Sequence, residues 1–205
     1  VPNAMDGVPY LTQAPVQPGE RFIYQFFPPD PGTFFFHPHC NTAEQLGRGL
    51  AGILVVEDPE DPPFDGDIVL ALKDWRIAED GSLLPFLTLD GASHAGTFGA
   101  LRTANGTVNP SIAVPAGADI RLRLINADSS RVCEIGLEGA KPAVIAIDGN
   151  AVAPFALASW RLGPAMRLDL SLRTGEAGEE IRILDYFAAE PVELARLKPE
   201  GALRR

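Results

Sequence analysis

Basic residues are scarce in this sequence: 17 lysines and arginines stand against 27 acids, giving a net charge of −10 and a pI of about 4.7. Nucleic acids require a basic surface, so this balance argues against a nucleic-acid partner and equally against an anionic membrane surface. No stretch approaches the ~20 consecutive apolar residues of a membrane-spanning helix, and no signal peptide is visible. Cysteine is limited to Cys40 and Cys133, which are consistent with one disulfide or with two separate thiols.

Sustained helical periodicity is also absent, and the sequence predicts an all-β fold. Gly and Pro are spread along the chain, and turn signals recur roughly every ten residues, as is typical of a β-sandwich. In residues 120–126, the alternation places Ile120, Leu122 and Leu124 in the core and Arg121 and Arg123 on the outer face. Strands are predicted over residues 20–27, 32–38, 49–58, 67–77, 120–126, 131–139, 143–150, 166–175 and 180–187, with one more just before the turn at 115–119.

The acidic, proline-rich stretch "EDPEDPPFDG" has the composition of a linker and predicts a domain boundary near residue 60. Residues 61–188 are long enough for a complete sandwich domain of ~100 residues. Residues 1–60 offer too few strands for one, so they are interpreted as the C-terminal part of a first domain. Residues 189–205 are predicted to leave the sandwich as a linker or tail that could hold a short helical turn.

Two of the three histidines, His37 and His39, lie one residue apart at the end of an aromatic run, "PGTFFFHPHC". Side chains at i and i+2 share one face of a strand, so both imidazoles project together while Pro38 points the other way. Proline also removes a ladder donor, which predicts a strand end or an edge. Neutral imidazoles so placed suit one metal ion or two ions side by side. The alternative is a pair of surface histidines in a loop.

The sequence around this motif resembles a known family. The stretches "MDGVPYLTQAPVQPGERFIYQF", "PGTFFFHPHC" and "QLGRGLAGILVVED" are similar, in this order, to the first cupredoxin domain of the laccase-like multicopper oxidases. Its pattern includes DG-x-P-x-x-T-Q and GT-x-(aromatic)-x-H-x-H. Residues 105–173 resemble the second, copper-free domain. The resemblance covers nearly all of residues 1–188 and implies tandem cupredoxin-like Greek-key β-sandwiches, the first of them incomplete in this chain.

The resemblance also implies a chemistry. His37 and His39 match the family's second His-x-His motif, whose imidazoles bind the two type 3 coppers of a trinuclear cluster, one to each ion. That cluster reduces O2 to water with four electrons taken from a small reducing substrate: a phenol, an aromatic amine or a low-valent metal ion. Asp6 matches an acid that helps to deliver protons, although an Asp-Gly turn is the simpler explanation. Such oxidases are usually exported, which implies a periplasmic or secreted protein.

The sequence departs from the family in two places. The family's first His-x-His-Gly motif is absent before "VPNAMDG", and so is the third domain with its copper-binding cysteine. The chain therefore resembles an internal piece of a three-domain oxidase, which needs the start of the first domain and the third domain and is inactive alone. Two other hypotheses remain open: a non-catalytic cupredoxin-fold scaffold or binding protein, and a mononuclear metal-binding protein that uses His37, His39 and a carboxylate.

Cys40 is interpreted as a packed residue or half of a disulfide, and His94 as a surface histidine.

Overall fold

A computed structural model describes residues 1–203. The chain separates into a short N-terminal unit, Val1–Pro31, and a larger unit that begins at Gly32. In the N-terminal unit, a 3-10 turn at Asn3–Met5 is the one helical element. The strand predicted over residues 20–27 is wrong: this segment is irregular, and Ile23 and Phe27 are exposed. A strand needs a neighbour to satisfy its backbone N–H and C=O groups, and none pairs with this segment within the unit.

The regular secondary structure of the larger unit is almost entirely β-strand, which confirms the all-β prediction. The two helices are α1 (Thr42–Gly47) and α2 (Leu89–Ser93). In the described residues, no helix is long and apolar enough to span a membrane. The strands are β1 (Gly32–Phe36), β2 (Gly52–Val56), β3 (Gly66–Trp75), β4 (Leu101–Ala104), β5 (Ser111–Pro115), β6 (Asp119–Asn126), β7 (Cys133–Glu138), β8 (Ala143–Ile147), β9 (Asn150–Ala156), β10 (Trp160–Leu162), β11 (Arg167–Arg173), β12 (Ile181–Asp185) and β13 (Val192–Glu200).

These strands form three sheets. β1 and β2 make a two-stranded antiparallel sheet. The other strands build a sandwich of a five-stranded sheet, ordered β10-β7-β12-β13-β5, and a six-stranded sheet, ordered β4-β3-β6-β11-β8-β9. Neighbours in both sheets are often distant in sequence, as Greek-key connections require. The core between the sheets is aliphatic, and its largest fully buried side chains are Leu70, Leu72, Ile120, Leu122, Leu124, Ile135, Leu162, Leu168, Leu170, Ile181 and Ile183.

The outer face of β6 differs from the prediction. Ile120, Leu122 and Leu124 are buried in the core, as the alternation requires. Arg121 and Arg123 do point away from the core, but they too are buried, with 6% and 2% of their surface exposed. Asp169 of β11 lies between them and is itself buried, so their charges are compensated by ion pairs rather than by water. Periodicity identified the two faces of the strand correctly, but it does not show what covers the outer one.

The prediction that residues 189–205 leave the sandwich is wrong for Val192–Glu200. These residues form β13, which pairs antiparallel with β12 and parallel with β5, inside the five-stranded sheet. The register shifts between Ile183 and Leu184 of β12, which leaves Leu194 as an extra residue in β13. Such a bulge breaks the two-residue alternation on which strand prediction rests, so the pattern could not be read from the sequence. The last two residues of the predicted tail lie outside the described residues.

Asp128, just after β6, is a buried carboxyl group whose state depends on pH. Its Oδ1 accepts the Asp74 backbone N–H at 2.6 Å, and its own N–H donates to Asn126. Burial, followed by the nearby Asp74 carboxylate, raises the pKa of Asp128 to about 7, although Lys73 opposes the shift. Between roughly pH 4 and pH 7 the folded protein therefore retains a proton that the unfolded chain has released.

Because the folded state retains this proton, we predict that the free energy of unfolding falls as the pH rises. The contribution of Asp128 is fully present below its unfolded pKa, near 3.8, and is lost as the pH rises through its folded pKa, near 7. We expect Asp128→Asn, which is neutral throughout and retains the acceptor oxygen, to lose stability less than the wild type between pH 4 and pH 7. Urea unfolding at several pH values measures the difference. If the free energy of unfolding fell by the same amount with pH in both proteins, the prediction would be contradicted.

Candidate metal centre

The two histidines predicted to bind metal follow directly after β1, which ends at Phe36. His37 is half-buried and His39 is exposed. Their rings stack, with centroids 4.7 Å apart and an angle of 22° between the planes. They therefore project to the same side of the chain, as the His-x-His spacing predicts, and they lie at a strand end, as Pro38 predicts.

A third ring extends this stack. Phe35 lies two residues before His37, and its ring stacks on that imidazole at a centroid distance of 5.1 Å and an angle of 17°. Phe35, His37 and His39 thus form a continuous row on one side of the strand end. The i, i+2 rule that pairs the histidines also places Phe35 on their face, although the aromatic run alone does not distinguish Phe35 from its neighbours. The row restricts how far the His37 ring can turn.

The hydrogen bonding of His37 leaves one ring nitrogen available. Nδ1 lies 3.2 Å from the carbonyl oxygen of Pro38. With the proton on Nδ1, the ring donates to this carbonyl, and the lone pair of Nε2 is free to bind a metal. A backbone partner of this kind is the usual way in which a protein fixes the tautomer and orientation of a histidine ligand.

The stacking decides how the pair can bind metal. An imidazole lone pair lies in the plane of its ring, so a shared ion would have to lie in both ring planes. Two stacked planes inclined by only 22° meet well beyond the ~2 Å of a metal–nitrogen bond. In this arrangement each imidazole is suited to its own ion, and the two ions would lie side by side.

Few other ligands lie near the histidines. Across residues 1–203, no group of three or more His, Cys, Asp or Glu side chains is placed to hold a metal ion. The cysteines do not form a disulfide: Cys40 is exposed and Cys133 is buried. Burial, and then the carboxylate of Asp185, raises the pKa of Cys133 to about 12, so this side chain is a neutral thiol. A site with three protein ligands from the described residues alone is therefore not formed.

The remaining candidates are Asp6 and His94. Asp6 is exposed in the N-terminal unit, where its backbone N–H closes the 3-10 turn by donating to Asn3. Gly7 follows with a φ of 77°, which gives the Asp-Gly turn considered in the sequence analysis. His94 follows α2 and is exposed, and its Nδ1 lies 3.2 Å from a carboxylate oxygen of Asp90. It contacts only its own loop and belongs to the surface, as predicted.

Comparison with known proteins identifies the family to which this chain is similar. Two family models, each described as "Multicopper oxidase", match this chain, one over residues 1–61 and the other over residues 67–180. The chain is 35% identical over 151 residues to the iron transport multicopper oxidase fetC of Epichloe festucae, a match that covers 72% of this chain and 24% of that protein. It is 30% identical over 184 residues to laccase-1 of Trametes villosa, covering 85% and 35%.

Solved structures agree with these matches. The multi-copper oxidase of Pseudomonas thermotolerans superimposes with a TM-score of 0.91 at 42% identity, covering 98% of this chain and 48% of that one. Lac15 from a marine microbial metagenome superimposes with a TM-score of 0.77 at 36% identity, covering 98% and 50%. The chain thus spans half or less of the length of each of these proteins. Members of the family are copper-dependent oxidoreductases that use O2, and the fold, the sequence and the histidine motif together show that this chain belongs to the multicopper oxidase family.

Proposed function

We propose that this chain is the part of a multicopper oxidase that supplies one histidine to each of the two type 3 coppers of a trinuclear cluster. The observation that carries the proposal is the pair of stacked imidazoles of His37 and His39. Their nearly parallel planes suit two adjacent ions better than one shared ion. Copper fits the donor set, because neutral imidazole is a good ligand for this metal. When bound, the cluster would couple four-electron reduction of O2 to water with one-electron oxidation of a reducing substrate.

The residues around the pair have supporting roles in this proposal. The Pro38 carbonyl would fix the tautomer of His37, and Phe35 would hold its ring plane. The reduction consumes protons, and the resemblance of the "MDGVP" segment to the family motif is the reason for proposing Asp6 as the carboxylate that helps to deliver them. The reducing substrate remains of the class predicted from the resemblance: a phenol, an aromatic amine or a low-valent metal ion.

The proposal also covers the organisation of the protein. Residues 1–60 would be the C-terminal part of the first cupredoxin domain, and the second domain would begin near residue 61. The other copper ligands would come from the start of the first domain and from a third domain, so these residues alone would not turn over. We further propose that the protein is exported, either to the periplasm or outside the cell, on the basis of its resemblance to the family.

Copper content tests this function directly. We expect the full-length protein, loaded anaerobically with Cu(I), reoxidised and desalted, to contain close to four copper ions per chain by elemental analysis. Zinc loaded in the same way serves as the control for nonspecific metal. A content near zero would favour the non-catalytic scaffold, and a content near one would favour a mononuclear metal protein.

A further inference from the structure

The strand that carries the histidines is fixed to the sandwich at its other end. Thr33 of β1 is fully buried. Its hydroxyl donates to the Asp169 carboxylate, with both oxygens at 2.9 Å, and accepts from Nη1 of Arg123 at 2.7 Å. Asp169 and Arg123 belong to β11 and β6 of the six-stranded sheet. A single hydroxyl therefore joins β1 to a buried ion pair of a different sheet.

The backbone of β1 is held at the same point. Nε of Arg167 donates to the carbonyl oxygen of Thr33 at 3.1 Å. A Cβ atom added to Gly32 would lie 2.5 Å from the carbonyl oxygen of Gly149, so the two backbones touch where only glycine fits. The ring of Phe34 lies against Gly149 as well. Side-chain and main-chain contacts thus both fix residues 32–34 to the six-stranded sheet of the sandwich.

The ion pair is itself held rigidly, so it can serve as a fixed point. Arg123 donates from Nε and Nη2 to Asp67 of β3 at 2.7 Å each, on the side away from Thr33. Arg121 donates to Asp169 from Nη2 at 2.7 Å. Each member of the Arg123–Asp169 pair therefore has a second partner that restrains it, and neither is free to follow a movement of Thr33.

β1 connects this fixed point to the metal ligands. Its ladder with β2 runs without interruption from Gly32 to Phe36, which keeps the strand extended and stiff. His37 lies four residues beyond Thr33, or roughly 13 Å along an extended chain. A small rotation of the strand at Thr33 would displace the imidazoles at the far end and disturb their stacking.

We propose that Arg123 and Asp169 are positioning residues for His37 and His39 and that they act through the hydroxyl of Thr33. The metal-ligand role of the histidines rests on the proposed function. The copper-free sandwich would thereby set the orientation of ligands that belong to the preceding domain. The pair touches neither histidine, so this role differs from that of a ligand.

Thr33→Val tests the link, because valine preserves the shape of threonine but has no hydroxyl. In the metal-free full-length protein, we expect amide hydrogen exchange at Phe34–Phe36 to become about tenfold faster while exchange in β11 stays unchanged. We expect NMR cross-peaks among the rings of Phe35, His37 and His39 to weaken. Copper affinity should fall about 10- to 100-fold, the usual effect of losing support behind a metal ligand.

Three further variants complete the test. Thr33→Ser retains the hydroxyl and should restore the cross-peaks and the copper affinity. Arg123→Lys retains a buried cation but loses the guanidinium bond to the Thr33 hydroxyl; it should shift the same signals, so it serves if Thr33→Val does not fold. Ile183→Val, in the core of the other sheet, is the control for general destabilisation.

The outcomes separate the two proposals. The inference is overturned if Thr33→Val leaves the ring cross-peaks and the β1 exchange unchanged, or if Ile183→Val alters both equally. If the wild-type protein binds no copper, the proposed function fails. The measurements on the metal-free protein would still decide whether the ion pair positions the two rings.

Discussion

Replacing His37 and His39 together with glutamine is expected to lower the rate of O2 consumption by the full-length protein more than 100-fold. Substitutions behind a metal ligand typically cost about 10- to 100-fold, and this change would remove the two proposed ligands themselves. Glutamine is polar and of similar length, so the strand end should stay folded. O2 uptake with a phenolic substrate and the copper content of the same sample measure the two effects.

His94→Gln is the matched control for this experiment. His94 is an exposed histidine in the loop after α2 and makes only local contacts. We expect this variant to retain both its copper and its O2 uptake. If the double variant kept wild-type copper and O2 uptake, the two imidazoles would not be ligands, and the assignment of the metal centre to this strand end would be wrong.

Asp169→Asn is expected to destabilise the sandwich by about 3 kcal/mol. Asp169 is 1% exposed and lies between two buried guanidinium groups, those of Arg121 and Arg123. Asparagine has the same shape but no charge, so it leaves these buried cations with weaker compensation. Breaking a buried pair by removing one partner is costly for this reason. Urea unfolding of the two proteins gives the difference directly.

Asp67→Asn is the matched control, because Asp67 contacts the same arginine from the solvent side. Its side chain is 42% exposed. Pairs with an exposed partner are screened by water and contribute at most about 1 kcal/mol. We therefore expect a clearly smaller loss for Asp67→Asn than for Asp169→Asn. Equal losses would mean that burial of the carboxylate does not control the stability of this cluster.

The geometry of the two candidate metal ligands was largely predictable from local sequence. His37 and His39 are two residues apart, and a two-residue period alone places them on one side of an extended chain. The proline between them marked the strand end. The same rule places Phe35 on that side as well, although three consecutive phenylalanines are equally typical of core packing. Local sequence does not predict which backbone carbonyl accepts from His37, nor does it predict the angle between the two ring planes.

The long-range contacts were not predictable. Thr33 and Asp169 are 136 residues apart, and each is unremarkable in its own strand pattern. Arg121 and Arg123 alternate with leucines and isoleucines as solvent-facing residues would, so periodicity assigned them to the surface. In residues 20–27 the composition favours a strand, but the segment is irregular. Strand formation depends on a neighbouring strand, which composition cannot show.

The position of β13 has a consequence for synthesis of the chain on the ribosome. Among the strands of this sandwich β13 comes last in sequence, yet it joins β12 on one side to β5 on the other. Until Glu200 has left the exit tunnel, β5 has no partner, and one side of the aliphatic core stays uncovered. Folding of this sandwich during translation must therefore wait for almost the whole of the 205-residue stretch, and a nascent chain halted before β13 would be a natural substrate for chaperones.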